Sequence, residues 1–332
     1  MKKIRIAQIG VNGHSHGLDI MNTLRKYSDL YEVVGYALPE GERERLPSKL
    51  SCFEGLPEMT VEEILHDPTI EAVTVETDEI YLTKYARMAA EAGKHIHMEK
   101  PGGRELAEFE ALIEAAKKSG KTLHLGYMYR YNPFVIELLE EVRRGELGKI
   151  SCVEAQMNCI HPKETREWLG NFHGGMMFFL GCHLIDLILQ LQGEPKEIIP
   201  LNKCSGFDGV TAEDIGMAVL VYENGVSFAK TSAVEVGGFR RRQLVVAGEK
   251  KTVELKPFEY YEFPLLYTDR TTYTVHDWNT DGTHDRSNGG GRYDDMMQAF
   301  AAMVRGEKTN PCTPDYELML YKTVLRCCGV TI

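Results

Sequence analysis

The chain has 332 residues, enough for two domains that each bury a core, and no apolar run approaches the length of a membrane span. Its formal net charge of −11 argues against a nucleic-acid partner, because such binding draws on clustered Lys and Arg, and the basic run 240–242 is too short to change this. The eight cysteines do not show the paired spacing of a metal site. The apolar run at the start of the chain is too short for a signal peptide, so we expect a cytoplasmic protein with no membrane partner.

The first element in chain order is a β-rich run, 4–9, followed by a glycine-containing turn and by apolar residues at helical spacing. This order favours a dinucleotide site, because the turn's backbone N–H groups and the helix N-terminus can approach a pyrophosphate. The G-x-G-x-x-G pattern is incomplete, since Asn12 and Ser15 stand where two glycines are expected and Gly13 is displaced by one. An ordinary βα connection therefore stays open as the alternative. The turn residues that we expect at a cofactor are Gly10, Asn12, Gly13, His14 and Ser15.

The second strand, 32–37, is followed by Leu38. A dinucleotide-binding domain usually has an acidic residue at this place that hydrogen-bonds the adenosine ribose. Glu40 follows two residues later, and Arg43 and Arg45 come after it. Two interpretations stay open: an Arg beside a ribose 2′-phosphate, or a surface loop rich in charge.

Strands and helices then alternate along the first part of the chain. A capping-box pattern predicts a helix over 60–66, and the apolar runs 70–75 and 122–127 predict strands. Residues at helical spacing lie between these runs. The alternation predicts an α/β domain over residues 1–127 with a doubly wound parallel sheet.

One strand of this domain ends abruptly in Glu99, Lys100 and Pro101. Lys100 would then stand at the carboxyl edge of a parallel sheet, where open α/β proteins bind their ligands. Pro101 restricts Lys100 to extended geometry, so the backbone aims the ammonium group. The alternative is a turn at the end of the strand with a solvated lysine.

From residue 149 onward the pattern changes to strands with little helix between them. Asn224 and Gly225 lie between two of these strands and predict a hairpin. The pattern predicts an α+β domain over 128–332 with a mainly antiparallel sheet. A large open sheet needs cover on one face, and self-association is the usual cover, so we expect a homodimer or homotetramer.

Two segments of this half stand out. Residues 181–189 are apolar nearly all round, which predicts a buried helix with His183 and Asp186 three apart on one face. The polar, glycine-rich segment 280–291 predicts a loop, and both an active-site flap and a disordered segment stay open.

The histidine pairs at positions 14 and 16 and at 95 and 97 have no third ligand close in sequence, so we expect no metal site.

In this order, the features resemble the glucose-fructose oxidoreductase/inositol dehydrogenase/MocA family over nearly the whole chain. The segments that carry the resemblance are the turn 10–17, the strand 92–101 that ends in Glu-Lys-Pro, the segment 126–133 (Gly-Tyr-Met-Tyr-Arg-Tyr-Asn-Pro) and the helix 181–186 (Gly-Cys-His-Leu-Ile-Asp). The resemblance implies an N-terminal Rossmann domain and a C-terminal α+β domain whose large, open sheet packs in oligomers. It also implies NAD(P)-dependent oxidation or reduction of a sugar, inositol or related polyol.

Such chemistry needs a nicotinamide at the sheet edge, a group that takes or gives the hydroxyl proton, and a cation for the charge on oxygen. Lys100 fits the cation and His183 the proton-transfer group, while Asp186 either orients His183 or only fills a buried polar gap. Besides the turn, the expected cofactor contacts are Thr77, Glu99, Lys100 and Pro101. The expected substrate contacts are Tyr127, Arg130, Asn132, His161, Trp168 and Asp186.

One position departs from the family pattern. The resemblance implies an acidic residue four positions before the motif histidine, where this chain has Phe179. An aromatic ring cannot exchange a proton, so three interpretations stay open: a modified substrate, proton transfer through His183 or His161, or loss of the reaction. The last of these is a catalytically impaired dinucleotide-binding sensor or regulatory protein of the same fold.

Overall fold

The computed structural model describes residues 2–258, 260–262, 265–267, 270–276, 281–287 and 292–332. The chain forms two compact units. The first comprises the residues up to Tyr127 together with Tyr293–Tyr321, and the second comprises Met128–Arg292 together with Lys322–Ile332. Within these described ranges, no helix combines the length and the apolar character that a membrane span requires.

The first unit is built on five strands that pair in parallel, as predicted. The strands are β1 (Ile4–Ile9), β2 (Tyr31–Ala37), β3 (Ala72–Val75), β4 (His95–Met98) and β5 (Leu123–Leu125). In space they follow the order β2-β1-β3-β4-β5, so the direction in which strands are added reverses between β1 and β3. At such a switch point the loops that follow the two strands diverge and leave a crevice for a ligand.

Helices connect these strands. The predicted capping box is present, because the Glu63 amide donates to Thr60 Oγ1 at 3.1 Å and the Thr60 amide donates to Glu63 Oε2 at 2.7 Å. A 3₁₀ segment, Pro47–Phe53, also belongs to this unit. The helices are α1 (Gly17–Lys26), α2 (Glu42–Arg45), α3 (Val61–His66), α4 (Leu82–Glu91) and α5 (Leu106–Ser119).

The segment 293–321 corrects the expected domain division. We expected residues 128–332 to form the second domain, but this segment belongs to the first unit. The Tyr31 hydroxyl donates to the backbone oxygen of Met297 at 2.5 Å, and the rings of His124 and Phe300 stack with centroids 5.4 Å apart. The chain therefore returns to the first sheet near its end, through a helix, α9 (Asp294–Val304), and the start of the last helix, which spans Pro314–Cys327.

The sheet of the second unit has eight strands and confirms the predicted mainly antiparallel sheet. Its strands are β6 (Ile150–Asn158), β7 (Glu197–Pro200), β8 (Ile215–Tyr222), β9 (Gly225–Ser232), β10 (Gln243–Gly248), β11 (Thr252–Leu255), β14 (Arg270–His276) and β15 (Asp281–Ser287), and a separate two-stranded sheet pairs β12 (Tyr260–Glu262) with β13 (Leu265–Tyr267). The order is β15-β14-β11-β10-β6-β9-β8-β7. Among the strands that the structure describes in this sheet, β6 and β9 pair in parallel and the other neighbours pair antiparallel. The predicted hairpin joins β8 to β9, with Tyr222 opposite Gly225.

Three helices of the second unit precede or follow these strands. They are α6 (Pro133–Arg143), α7 (Lys163–Trp168) and α8 (Cys182–Gln192). A π-helical turn, Met177–Gly181, leads directly into α8. Nearly every residue of α8 is buried, as its apolar sequence predicts, so the side chains of this helix are held on all sides.

The expected loop 280–291 is a strand in its middle part. Residues Asp281–Ser287 pair with β14 over their whole length. The polar, glycine-containing sequence is compatible with this pairing because a ladder is made by backbone groups, which every residue except proline supplies. Residues 280 and 288–291 lie outside the described part of the chain.

Candidate active site

The glycine-containing turn after β1 is shaped by two glycines. Gly10 has φ +88°, and a Cβ at this position would lie 2.6 Å from the Thr77 amide nitrogen. A Cβ on Gly17 would lie 2.7 Å from the Val11 carbonyl oxygen. The two glycines therefore let β1 and α1 approach the segment that follows β3, as the first and third glycines of a dinucleotide turn do.

Asn12 takes the place of the second glycine and organises the turn. It has φ +51°, which an Asn tolerates better than most residues. Its Oδ1 accepts from the amides of His14 at 2.7 Å and Ser15 at 3.3 Å, while its Nδ2 donates to the Thr77 carbonyl oxygen at 2.9 Å. The structure thus brings four of the predicted cofactor residues together: Asn12, His14, Ser15 and Thr77.

The space in front of the turn suits a pyrophosphate. A Cβ on Gly13 would meet only the Leu46 side chain, at 3.4 Å, so there is space for a ligand beside this residue. The Gly13 amide makes a long contact of 3.5 Å to Asp78 Oδ1, which a ligand phosphate would replace. Lys49 Nζ donates to the Asn12 carbonyl oxygen at 2.6 Å and so puts a cation beside the turn. Burial comes first among the causes that lower the pKa of Lys49 and of His14. A dinucleotide's phosphates fit an open backbone with a neighbouring cation.

Lys100 is buried, with 2% of its surface exposed, which excludes a solvated lysine at a strand end. Its Nζ lies 3.8 Å from Glu99 Oε1, and the same oxygen accepts the Lys100 backbone amide at 3.0 Å. A buried cation requires compensating charge, which Glu99 supplies. The Glu-Lys-Pro segment therefore presents a desolvated ammonium group at the carboxyl edge of β4.

Two further carboxylates at this edge were missed by sequence reasoning. Glu76 and Glu79 follow β3 directly and are 0% and 1% exposed. Burial raises the pKa of Glu79 to about 8, against the opposing effect of Lys100, and it raises the pKa of Glu76 strongly, with Glu99 adding to the effect. Their position after an apolar strand was the available signal, but we singled out only Thr77 there.

The histidines of β4 are structural partners of their neighbours. His97 Nδ1 lies 2.8 Å from His124 Nδ1, so one ring donates and the other accepts. Burial lowers the pKa of His97 to about 3, which keeps the ring neutral. His95 Nδ1 lies 3.1 Å from Thr122 Oγ1, and burial lowers the pKa of His95 to about 4. Both rings therefore take part in links between β4 and the segment that contains β5.

In the second unit, Arg130 and Asp186 form a two-pronged ion pair. Arg130 Nε donates to Asp186 Oδ2 and Nη2 donates to Oδ1, each at 2.9 Å. Gln190 Nε2 also donates to Oδ2 at 3.0 Å. Both residues are among the expected substrate contacts, and the structure shows that they bind each other. Asp186 thereby fixes the position of the Arg130 guanidinium.

His183 lies in the first turn of α8 and is 5% exposed. The ring of Tyr129 meets it edge-on, with the centroids 4.9 Å apart. The π-helical turn Met177–Gly181 leads directly into α8, and a Cβ on Gly181 would lie 2.4 Å from Met177 Sδ. The glycine thus permits close packing of the Met177 side chain at the start of α8.

Phe179 lies in an aromatic cluster with two predicted substrate residues. The rings of Phe179 and Trp168 meet edge-on with centroids 5.1 Å apart, and the His161 ring lies 6.3 Å from that of Phe179. Phe179 also belongs to a buried apolar cluster with Leu169 and Met176. The position expected to be acidic is therefore packed among apolar groups, which a carboxylate would destabilise.

The remaining predicted residues have structural contacts of their own. Asn132 caps α6, because its Oδ1 accepts the Phe134 amide at 2.9 Å, and its Nδ2 donates to Thr271 Oγ1 at 3.4 Å. Tyr127 is 1% exposed and is the last residue of the first unit's main segment. The contacts of Asn132 thus place it at the start of α6.

Two family models match the chain. One, described as the oxidoreductase family with an NAD-binding Rossmann fold, matches residues 4–127. The other, described as the GFO/IDH/MocA C-terminal domain, matches residues 135–254. Together the two matches cover more than half of the chain and include the turn after β1, Lys100 and His183.

Among characterised proteins, the scyllo-inositol 2-dehydrogenase (NADP(+)) IolW of Bacillus subtilis is 31% identical over 140 residues, which are 42% of this chain and 39% of that protein. The scyllo-inositol 2-dehydrogenase (NAD(+)) of the same organism is 36% identical over 87 residues, 26% of this chain and 25% of that protein. The chain spans 39% to 59% of the length of three curated relatives that it matches.

The fold is similar to that of a solved enzyme over nearly its full length. The UDP-N-acetylglucosamine 3-dehydrogenase GnnA from Acidithiobacillus ferrooxidans superposes with a TM-score of 0.79 at 19% identity. The superposition covers 99% of this chain and 98% of that one. At this identity the likeness shows a shared fold.

Proposed function

This chain belongs to the GFO/IDH/MocA family of oxidoreductases, and on that premise we propose that it is an NAD(P)-dependent dehydrogenase or reductase acting on a CH–OH group of a sugar, inositol or related polyol. The observation that carries the proposal is Lys100, a buried cation at the carboxyl edge of the NAD-binding sheet. A desolvated ammonium group stabilises charge on a reacting oxygen far better than a solvated one does.

Each residue of the site has its own role in the proposed reaction. The nicotinamide supplies hydride transfer. Lys100 stabilises the charge on the substrate oxygen, and Glu99 holds the Lys100 segment through its backbone amide. His183 takes or gives the hydroxyl proton, and its burial beside Tyr129 restricts the ring to few orientations. The turn after β1 binds the cofactor phosphates through Gly13, with Lys49 beside it.

The substrate class is supported by the relatives. Two of them are named as scyllo-inositol 2-dehydrogenases, one using NADP and one using NAD. Of the predicted substrate contacts, His161 and Trp168 lie together in the aromatic cluster, and Arg130 is held by Asp186. An Arg whose guanidinium is fixed in place binds a polar ligand at a lower entropic cost than a mobile one.

A second candidate function follows from Phe179. Its ring packs against Trp168 and so leaves no acid at a position that resemblance to the family assigns to proton transfer. On this view the chain senses a dinucleotide or regulates a partner without turning over a substrate. Calorimetric binding of the cofactor, with no change of nicotinamide absorbance across a broad polyol panel, would favour the sensor, and one productive substrate would exclude it.

The enzyme proposal is tested by Lys100→Met. Removing the cation should lower kcat/KM by about 10²–10³-fold in a variant that circular dichroism shows to be folded at the assay temperature. The Glu99 carboxylate is then buried without its cation, so the unfolding midpoint should also fall. Lys121→Met removes an exposed lysine of the same unit and serves as the control. Unchanged turnover in the Lys100 variant would refute the catalytic role of this residue.

The proposal includes a homodimer or homotetramer and a cytoplasmic location. Three apolar side chains of the second unit's sheet region, Ile199, Leu201 and Val226, are 40%, 47% and 51% exposed, which supports cover by a second copy. Sedimentation velocity at micromolar concentration measures this, and a monomer would contradict it.

A further inference from the structure

The sequence leaves the ribose-binding acid unassigned, because Leu38 follows β2. In the structure the Gly10 amide donates to the Ala37 carbonyl oxygen at 2.8 Å, so the ends of β1 and β2 lie side by side. Glu42, four residues beyond Leu38, returns to this point, and its Oε2 accepts the Val11 amide at 3.0 Å. The chain thus brings a carboxylate to the usual place from a later position.

Glu42 is buried but only partly used by the protein. The residue is 1% exposed, and its second oxygen, Oε1, has no hydrogen-bond partner among the described residues. A buried carboxylate oxygen without a donor is costly, and a ligand or a water that supplies the missing hydrogen bond removes this cost. The Glu42 carboxylate therefore has one oxygen for the turn and one for a ligand hydroxyl.

The other candidates for this role are occupied. Glu40 Oε1 accepts from Lys84 Nζ and from the Tyr85 hydroxyl, each at 2.7 Å. Arg43 binds Glu58, and Arg45 Nη1 donates to Asp78 Oδ2 at 2.8 Å. The two arginines that suggested a 2′-phosphate site are thus neutralised by carboxylates of the chain itself.

We propose that Glu42 reads the 2′ position of the adenosine ribose, with Oε1 accepting a hydrogen bond from the 2′-hydroxyl, and that the cofactor is accordingly NAD. The inference rests on the proposed dinucleotide function and deepens it by naming the cofactor. A 2′-phosphate would bring up to two negative charges against the Glu42 carboxylate, with no uncommitted arginine of α2 to balance them. NADP is rejected by this repulsion and by the lost hydrogen bond.

The test is calorimetric binding of NAD and NADP to the full chain. ADP-ribose and 2′-phospho-ADP-ribose are titrated in parallel, because they report on the adenosine half without nicotinamide chemistry. Burial raises the pKa of Glu42 to about 7, so measurement at pH 8 keeps most of the carboxylate ionised. The wild-type chain should bind NAD on the order of 10–100-fold more tightly than NADP.

Glu42→Gln keeps an oxygen for the Val11 amide and removes the charge. It should weaken NAD binding by about 10-fold and bring the NAD to NADP ratio to within about 3-fold, with an unchanged unfolding midpoint. Glu44→Gln, at an exposed position of α2, is the matched control and should leave the ratio as it is.

The possible results distinguish the role of Glu42 from the proposed function. Wild-type binding of NADP as tight as that of NAD, or an unchanged ratio in a folded Glu42→Gln variant, overturns the assignment of Glu42 while the proposed function stands. Binding of neither dinucleotide to the wild-type chain overturns the proposed function and this inference with it.

Discussion

Replacing Asp186 by Leu would leave the Arg130 guanidinium buried without its carboxylate. The two side chains are 2% and 6% exposed, and two hydrogen bonds of 2.9 Å join them. Removing one partner of such a pair costs about 3–5 kcal/mol, because the remaining charge is desolvated and unpaired. This is a large part of a typical free energy of unfolding of about 5–15 kcal/mol.

The double-mutant cycle gives the sharper measurement. Arg130→Met and Asp186→Leu should each cost about 3–5 kcal/mol, whereas the double variant, which buries no charge, should cost far less than their sum. The coupling free energy should therefore be at least about 3 kcal/mol. Urea unfolding, followed by circular dichroism and tryptophan fluorescence with the m-value checked for constancy, measures it.

An exposed pair of the same unit is the control. Arg144 Nη1 lies 3.8 Å from Glu140 Oε2, and both side chains are 55% exposed, so the coupling of this pair should stay below about 0.5 kcal/mol. Additive effects of the Arg130 and Asp186 substitutions, within about 0.5 kcal/mol, would refute the structural role of the pair. A rise in KM with no loss of stability would show that Arg130 acts in substrate binding and that the pair does not stabilise the fold.

Two further predictions concern the first unit. The buried His97, whose pKa burial lowers to about 3, is protonated more readily in the unfolded chain, so its contribution to stability is fully present above about pH 6.5 and is lost as the pH falls toward 3. Between pH 7 and 4, the free energy of unfolding should fall less steeply with pH in His97→Phe than in wild type, by up to about 1.4 kcal/mol per pH unit. Equal slopes in the two proteins would show that burial of His97 does not affect its protonation. His66→Asn, at an exposed position, serves as the control. Gly10→Ala combines φ +88° with a Cβ 2.6 Å from the Thr77 amide, and should cost several kcal/mol and abolish cofactor binding. Gly93→Ala, with φ +71° and nothing within 4 Å, should cost only about 1–2 kcal/mol in the same unfolding assay, and equal losses in the two variants would show that the close approach at Gly10 is unimportant.

Much of the fold follows from local patterns in the sequence. Apolar runs separated by residues at helical spacing predict the parallel sheet of the first unit, and Asn224 with Gly225 predicts the hairpin from β8 to β9. These signals are local, because side-chain period and turn chemistry act over a few residues. The strand 281–287 escaped this reasoning, since its polar residues are held in the sheet by backbone bonds to β14.

Local sequence patterns also do not show which unit the segment 293–321 joins. Its apolar spacing predicts a helix with one buried face, but the spacing does not say which sheet that face covers. Contacts such as Tyr31 with Met297 join residues far apart in the chain. Only the folded chain shows that this segment completes the first unit.

The candidate site likewise combines features that the local sequence predicts with contacts that only folding creates. The sequence by itself determined that a lysine stands at the end of a parallel strand, because Pro101 and the strand pattern lie next to it. Only the tertiary structure decided that Asp186 binds Arg130, 56 positions away, and that Glu42 reaches Val11, 31 positions away. Burial and charge compensation act between groups that folding brings together, so residue type and spacing cannot specify them.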